Sequence, residues 1–471
     1  MVMDMYELTM SNGYLNQGFK DTWVAFDVFY RNNPDNGGFA IFAGLQQVVE
    51  YIENLHFSEE DVEYLRSKRL FTEEFLEYLL HFRFRGDIYA MKEGTVMYPN
   101  EPVITVVAPL IDAQLIETTI LLEINHQSLI ATKTNRIVQA ANGKPVSDFG
   151  ARRAHNVDAA VYGARAAYIG GAAGTATVLA GKMFHIPISG TMAHSWVMTF
   201  DSEYDAFKAY AESYPDGTVL LVDTYDVLKS GVPNAIRTAR EVLEPMGKKL
   251  IGIRLDSGDL AYLSKEARKM LDEAGLPDCM IVASNSLDEY TISSLNRQGA
   301  KIDSYGVGER LITSSSTPVF GAVYKLVAIQ KDGKFIPKIK ISETAEKITN
   351  PGIKEVYRVY DENGKAVADY LAVKGEQIRD FEPVRYVDPV NYWKNRSFVG
   401  CRFKKLQVPV FEKGKRIYDL PDIEEIRQYV KDQLENEIWE EEQRFENAHT
   451  HYLDMSPAMF ELKMSLLHEE N

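Results

Sequence analysis

Short apolar runs alternate with helical stretches through the middle of this chain. The runs cover residues 186–189, 219–222, 250–253, 280–283 and 302–305. Between them, residues 203–213, 234–246, 260–274 and 288–297 carry apolar positions at helical spacing. Near-continuous apolar strands separated by amphipathic helices predict a parallel sheet covered on both faces. With five such units, a (β/α) barrel is favoured over an open doubly wound sheet.

The flanking regions follow a different rhythm. Residues 23–30 read as a strand before the turn-rich Asn32-Asn33-Pro34-Asp35-Asn36-Gly37-Gly38. Residues 46–55, 59–84 and 112–141 read as helices, and 94–109 as strands broken by Pro99 and Pro102. Beyond residue 322, Lys331-Asp332-Gly333-Lys334 and Glu362-Asn363-Gly364-Lys365 predict hairpins. The acidic stretch 423–446 predicts a helix with a solvated charged face. The expected regions are therefore 1–125, 126–322 and 323–471.

Composition narrows the class. The chain has 471 residues, 45% hydrophobic and 25% charged, as a folded protein of two or three domains would. A net charge of -16 argues against nucleic acid as a partner, and an anionic substrate would need local basic groups. Two cysteines, Cys279 and Cys401, form neither a metal spacing nor a disulfide framework. No window is apolar enough for a membrane helix, and the start does not read as a signal peptide. A cytoplasmic protein is expected.

The candidate chemistry lies just after the apolar runs, where parallel α/β folds gather their ligands. Gly190-Thr191-Met192-Ala193-His194-Ser195 follows the first, and Asp223-Thr224-Tyr225-Asp226 the second. Arg254, Asp256, Ser257, Gly258 and Asp259 follow the third, Ser284-Asn285-Ser286 the fourth, and Gly306-Val307-Gly308-Glu309-Arg310 the fifth. Arg254 could hold phosphate, and Asp256 and Asp259 a ribose hydroxyl or hydrated Mg²⁺. Equally, Ser257 or Asp259 could simply cap a helix. Gly306 and Gly308 would let backbone amides approach an anion, or would serve a plain turn. Upstream, Asp148-Phe149-Gly150-Ala151-Arg152-Arg153-Ala154 puts two guanidinium groups after an aromatic and a glycine. His194, introduced by Gly-Thr, is a candidate nucleophile or base; a structural histidine is the alternative.

These motifs, together with Asp4-Met5-Tyr6-Glu7-Leu8-Thr9-Met10 and Ile130-Ala131-Thr132-Lys133, make the chain resemble the nicotinate phosphoribosyltransferases over nearly its whole length. The resemblance implies an irregular α/β barrel plus an α+β domain built from the N-terminal and C-terminal regions. It also implies a homodimer with a shared active site. Nicotinate, phosphoribosyl pyrophosphate and ATP are the implied substrates, with Mg²⁺ bound through pyrophosphate near Asp256 and Asp259. His194 becomes the phosphohistidine and Asp223 its orienting acid. Phe149 and Tyr6 of the partner subunit sandwich the pyridine ring. Arg152, Arg153 and Arg254 meet ligand anions, with Thr191, Ser195, Asp256, Ser257, Asn285, Gly306 and Gly308 around ribose and phosphates.

The chain departs from the family pattern in its shorter lead before Tyr6, at Glu309-Arg310 after Gly-Val-Gly, and in two internal motifs. His155-Asn156 stands where relatives often have Gln-Gly, and Thr175-Ala176-Thr177-Val178 where they often have Thr-Ser-Asn-Val. The competing readings are a nicotinamide or quinolinate phosphoribosyltransferase, another sugar-phosphate barrel enzyme, and a non-catalytic metabolite-binding barrel.

Overall fold

The structure, a computed structural model, describes residues 1–344 and 347–469. It divides into two compact units, Met1–Leu129 with Val319–Asn471, and Ile130–Pro318. The helix Glu117–Ala140 runs through the first of these boundaries. No helix among the described residues is long and apolar enough to cross a membrane.

The second unit holds the parallel sheet. Its pairing runs from Gly174–Thr175 through Val146–Asp148, Ser304–Val307, Met280–Ala283 and Gly252–Leu255 to Val219–Leu221. Ile188 adds one parallel bridge to Thr175 at the far end. Taken in chain order this arrangement is circular, because Ser304–Val307 lies beside Val146–Asp148. The circle has one break: among the described residues no ladder joins Ile188 to Val219–Leu221. His194 lies in the segment between these two ends.

Several expected elements shift, each for a local reason. Two strands begin later than the apolar runs, at Gly252 and Ser304, so Arg254 and Gly306 lie within strands. Val146–Asp148 and Gly174–Thr175 are too short to leave an apolar run and were not expected as strands. The helix expected over 59–84 is two helices, Glu59–Ser67 and Glu73–Leu80. Arg69 turns left-handed at φ 56, and the Thr72 hydroxyl accepts the Phe75 amide at 3.3 Å to start the second.

The first unit contains a seven-stranded antiparallel sheet. Trp23–Phe29, Ile104–Pro109 and Asp87–Met91 lie at its centre. Val323–Lys331 pairs with Trp23–Phe29 on one side, and Gln407–Glu412 with Asp87–Met91 on the other. Both expected hairpins form, with Lys331 opposite Lys334 and Tyr360 opposite Ala366. Phe26 stacks on Tyr324 at 4.6 Å across the sheet, inside a large apolar core.

The acidic stretch differs from its expected solvated form. Its helix stops at Asp432, a π-turn follows over Gln433–Glu437, and Glu442 is buried. Glu442 accepts the Tyr98 hydroxyl at 2.6 Å and stands 3.0 Å from His451 Nδ1. His451 stacks on Tyr98 at 3.7 Å, and its Nε2 lies 3.6 Å from Asp369. Arg358 grips Asp369 with two hydrogen bonds of 2.9 and 2.7 Å. A charge run read as solvated is thus partly drawn inward by a buried tyrosine hydroxyl and a buried histidine.

Asp454 follows in the strand Leu453–Met455. Burial first, and then Asp388, push its carboxyl up to about 7. The folded state therefore holds this proton more tightly than the unfolded chain, whose carboxyl titrates near about 4. Stability is expected to fall as pH rises between those values. Asp454→Asn should remove that part of the slope and raise the melting temperature at pH 8 relative to the parent. Melting curves from pH 5 to 8 with an unchanged slope would contradict this.

Candidate active site

Asp148 ends its strand and is buried, which pushes its carboxyl up. Both oxygens are used: one accepts the Gly150 amide and the other the Thr175 hydroxyl, each at 2.8 Å. The Phe149 amide donates to the Val307 carbonyl at 2.8 Å. These bonds fix the backbone at Phe149. A Cβ on Gly306 would fall 2.4 Å from the Phe149 ring, and one on Gly308 would fall 3.2 Å from the Phe149 carbonyl. Gly306 thus serves as a bare shelf for an aromatic ring, a role the sequence did not suggest.

Arg152 and Arg153 lie exposed on the short turn Ala151–Arg153. Arg153 Nε is 3.6 Å from Glu309. Arg152 has no carboxylate partner among the described residues, and its charge reaches Arg254. Asn156 accepts the Ala159 amide at 2.7 Å and caps the helix Val157–Ile169. This gives the first of the two internal departures a local structural role.

Arg254 is the buried cation of the site, its side chain 13% exposed. Burial pushes its pKa down, against the nearby Asp256 and Asp223, and Arg152 pushes the same way as burial. Its Nη1 donates to the Thr191 hydroxyl. Its Nη2 is 3.9 Å from Asp256, and its buried Nε has no hydrogen-bond partner among the described residues. A buried guanidinium with a spare donor and a second guanidinium nearby is prepared for an anion.

His194 opens the short helix His194–Thr199, and Ser195 is exposed on it. His194 Nδ1 is 3.1 Å from the Thr224 hydroxyl, and Nε2 is 3.7 Å from Asp256 Oδ2. The expected Asp223–His194 contact is therefore replaced by one from the next residue. Asp223 instead accepts the Asp256 amide at 3.0 Å and the Ser257 hydroxyl at 2.6 Å through one oxygen. Its other oxygen is buried without a partner among the described residues. Beyond the strand Val219–Leu221, Asp223 thus bonds the Asp256–Ser257 segment while its neighbour Thr224 meets His194.

Asp256 links three strand ends. Its second oxygen accepts the Ser284 hydroxyl. Asn285 and Ser286 follow in left-handed conformations, φ 94 and φ 48, a rare pair for residues other than glycine. Asp259 takes the bland role: one oxygen accepts the Ala261 and Tyr262 amides at 3.1 and 3.0 Å and caps the helix Leu260–Glu273. Among the described residues no group of three or more metal-binding side chains forms. Arg310 pairs with Asp288, which caps the helix Glu289–Arg297.

Tyr6 belongs to the other unit, on the helix Met5–Asn16. Burial first, and then the Glu117 carboxylate, push its hydroxyl well up. The sequence brought Asp223, Arg254 and Asp256 forward, but it did not single out the Thr224 and Ser284 hydroxyls. Their only signal was adjacency to residues already chosen, Thr224 three places past the strand Val219–Leu221 and Ser284 one place past Met280–Ala283.

The similarities to known proteins fit this arrangement. Family descriptions of the nicotinate phosphoribosyltransferase N-terminal domain, family region and C-terminal domain match residues 1–125, 145–363 and 353–463. The chain is 47% identical to a nicotinate phosphoribosyltransferase of Bacillus subtilis, over 99% of this chain and 94% of that one. It is 36% identical to one from Dictyostelium discoideum, over 98% and 87%. Its fold matches the crystal structure of human nicotinic acid phosphoribosyltransferase with a TM-score of 0.89 at 27% identity, over 99% and 100% of the two chains. The motifs, the fold and these relatives agree, and the chain belongs to the nicotinate phosphoribosyltransferase family, enzymes that are transferases of NAD biosynthesis.

Proposed function

We propose that this enzyme joins nicotinate to phosphoribosyl pyrophosphate and couples the transfer to ATP through phosphorylation of His194. The observation that carries the reading is Arg254, buried with a spare donor, in one loop lattice with His194 and Asp256. The pyridine nitrogen attacks C1 of the ribose as pyrophosphate leaves. Such a reaction depends on positioning and on charge stabilisation at the leaving group. Arg254 meets the departing pyrophosphate. Phe149, seated on Gly306, stacks on the pyridine ring, and Arg152, which has no carboxylate partner among the described residues, meets the carboxylate of nicotinate.

Asp256 suits a Mg²⁺ ion bound mainly through pyrophosphate and water, since it offers one carboxylate and no protein cage surrounds it among the described residues. When bound there, Mg²⁺ would neutralise charge on the pyrophosphate. Asp259 is engaged in capping and is a weaker candidate. Thr191, Ser195, Ser257, Asn285 and Gly308 are the proposed surroundings of ribose and phosphates.

The circular strand order supports an irregular barrel with a seam beside the His194 segment. Val178, Leu179, Met183, Ile188 and Met198 are exposed in this unit, and such apolar exposure supports a homodimer. Tyr6 of the partner subunit would then complete the sandwich around the ring. Two free buried thiols, Cys279 and Cys401, support a cytoplasmic location.

The test offers nicotinate and nicotinamide separately, with phosphoribosyl pyrophosphate, Mg²⁺ and ATP. Mononucleotide from nicotinate and ADP release are expected; product from nicotinamide alone would refute the substrate, and no ADP would refute the coupling. Gly306→Ala should unseat the Phe149 ring and raise the KM for nicotinate about tenfold, as loss of ring stacking predicts. An unchanged KM would mean that Phe149 does not meet the base.

A further inference from the structure

We infer that Glu7 is the positioning residue for Tyr6, anchoring the helix Met5–Asn16 to the start of the helix Glu117–Ala140. This rests on the reading that the Tyr6 ring completes the sandwich around the pyridine in the partner's site. Tyr6 and Glu7 are neighbours on one helix, yet Tyr6 is 42% exposed and Glu7 is fully buried. Successive helical residues are turned by about 100°, so fixing one side chain fixes the direction of the next. The apolar grip of this helix is thin: Leu8 and Leu15 are buried, and the other buried side chains are Glu7 and Ser11. Polar bonds therefore do much of the holding. At the far end, Asn12 Oδ1 accepts the Thr72 amide and hydroxyl, both at 3.0 Å. At the Tyr6 end, Glu7 Oε1 accepts the Thr118 amide at 2.9 Å and the Thr118 hydroxyl. That amide lies in the first turn of its own helix, where no intrahelical carbonyl reaches it. The Thr118 hydroxyl in turn accepts the Asp4 amide at 3.1 Å, and the Thr119 hydroxyl donates to the Val2 carbonyl at 2.9 Å.

The anchor works best as a neutral acid. Glu7 Oε2 is buried without a partner among the described residues. The titratable groups around Glu7 are acids and phenols: Asp4 and Tyr6 on its own segment, and Glu117 on the long helix. Tyr51 faces it from the helix Leu45–Asn54, and Tyr324 from the strand Val323–Lys331. Lys325 on that strand is drawn on by Glu117. Burial pushes the Glu7 carboxyl up to about 7 against its two Thr118 bonds, and Glu117 pushes the same way as burial. The neutral acid keeps both bonds, because Oε1 accepts them through its lone pairs. A Glu7 released to water titrates at its ordinary value, 4.5, so the anchored state holds the proton more tightly. Anchoring is therefore strongest below that value and weakens as pH rises through about 7, by about tenfold between pH 6 and 8.

The experiment measures kcat and the nicotinate KM of the full-length enzyme at pH 6 and 8, for the parent, Tyr6→Ala, Glu7→Ala and Glu7→Gln. Amide hydrogen exchange of the same proteins is followed at Thr118 and along the first helix. Tyr6→Ala and Glu7→Ala should each raise the KM at pH 6 about tenfold with kcat changed far less, as loss of one ring contact gives. Glu7→Ala should also speed exchange at the Thr118 amide. In the parent the KM should rise between pH 6 and 8, by up to about tenfold. Glu7→Gln keeps the neutral shape and the acceptor for Thr118, so it should hold the parent's pH 6 value at both pH values. A lower KM than the parent at pH 8 is a gain that a damaged fold cannot give. A parent-like KM or parent-like exchange in Glu7→Ala would overturn the role of Glu7. So would a flat parent KM across that range, or a Glu7→Gln KM that rises with pH as the parent's does. An unchanged KM in Tyr6→Ala would overturn the reading of Tyr6, and the inference with it; exchange reports the anchor without reference to the base, so the two failures are told apart.

Discussion

Arg254→Ala is expected to lower kcat/KM for base transfer by about 10²–10³-fold, the usual loss when a preorganised charge donor is removed from a leaving group. The reason lies in its surroundings. The guanidinium is nearly buried, so its field is weakly screened. Its Nη1 is fixed by Thr191, while Nε has no partner among the described residues. A donor already in place costs little to reorganise when negative charge builds on pyrophosphate. Arg254→Lys should recover only part of the rate, since an ammonium group cannot hold Thr191 and meet a phosphate in the same plane. Steady-state kinetics with phosphoribosyl pyrophosphate varied would decide the matter. A loss confined to the KM of nicotinate would move Arg254 to the base pocket instead.

The second large effect concerns stability. Arg358→Met is expected to destabilise the unit containing the antiparallel sheets by about 3–5 kcal/mol, the cost of leaving a buried charge without its partner. Arg358 and Asp369 are both almost fully buried. Burial alone would push the Asp369 carboxyl up, yet the guanidinium beside it holds it well below the usual carboxylate range. Burial first, and then Asp369, push the Glu101 carboxyl well up. Without Arg358, the basic group left facing Asp369 among the described residues would be His451, at 3.6 Å. Replacing both residues, Arg358→Met with Asp369→Leu, should recover most of the loss. Denaturant titrations of the parent and the two variants measure this. A double variant no better than the single one would show that Arg358 acts through its bond to the Val96 carbonyl instead.

The sequence was most legible where periodicity ran long. The alternation that predicted a parallel sheet is present, and both hairpin turns form where Asp-Gly and Asn-Gly placed them. The very short strands were hidden, since Val146–Asp148 and Gly174–Thr175 offer too few residues for a pattern. Strand registers were off by two residues at Gly252 and Ser304, enough to move Arg254 and Gly306 from loops into strands. In the site, residue types were readable and directions were not. Asp223 and Thr224 are neighbours, and only the structure shows which of them meets His194. The buried Glu442 was hidden for a related reason: its partners, Tyr98 and His451, come from distant and adjacent stretches alike.

The antiparallel sheet also imposes an order of events on the ribosome. Its three central strands, Trp23–Phe29, Ile104–Pro109 and Asp87–Met91, emerge early. Their outer neighbours, Val323–Lys331 and Gln407–Glu412, lie roughly 300 residues further on, about 15–60 s of synthesis at ordinary elongation rates. Through that interval both edges of the nascent sheet stand open, with unpaired amides and carbonyls along Trp23–Phe29 and Asp87–Met91. A holdase chaperone would have its work there, and slowing translation downstream of residue 130 should increase aggregation of the newly made chain.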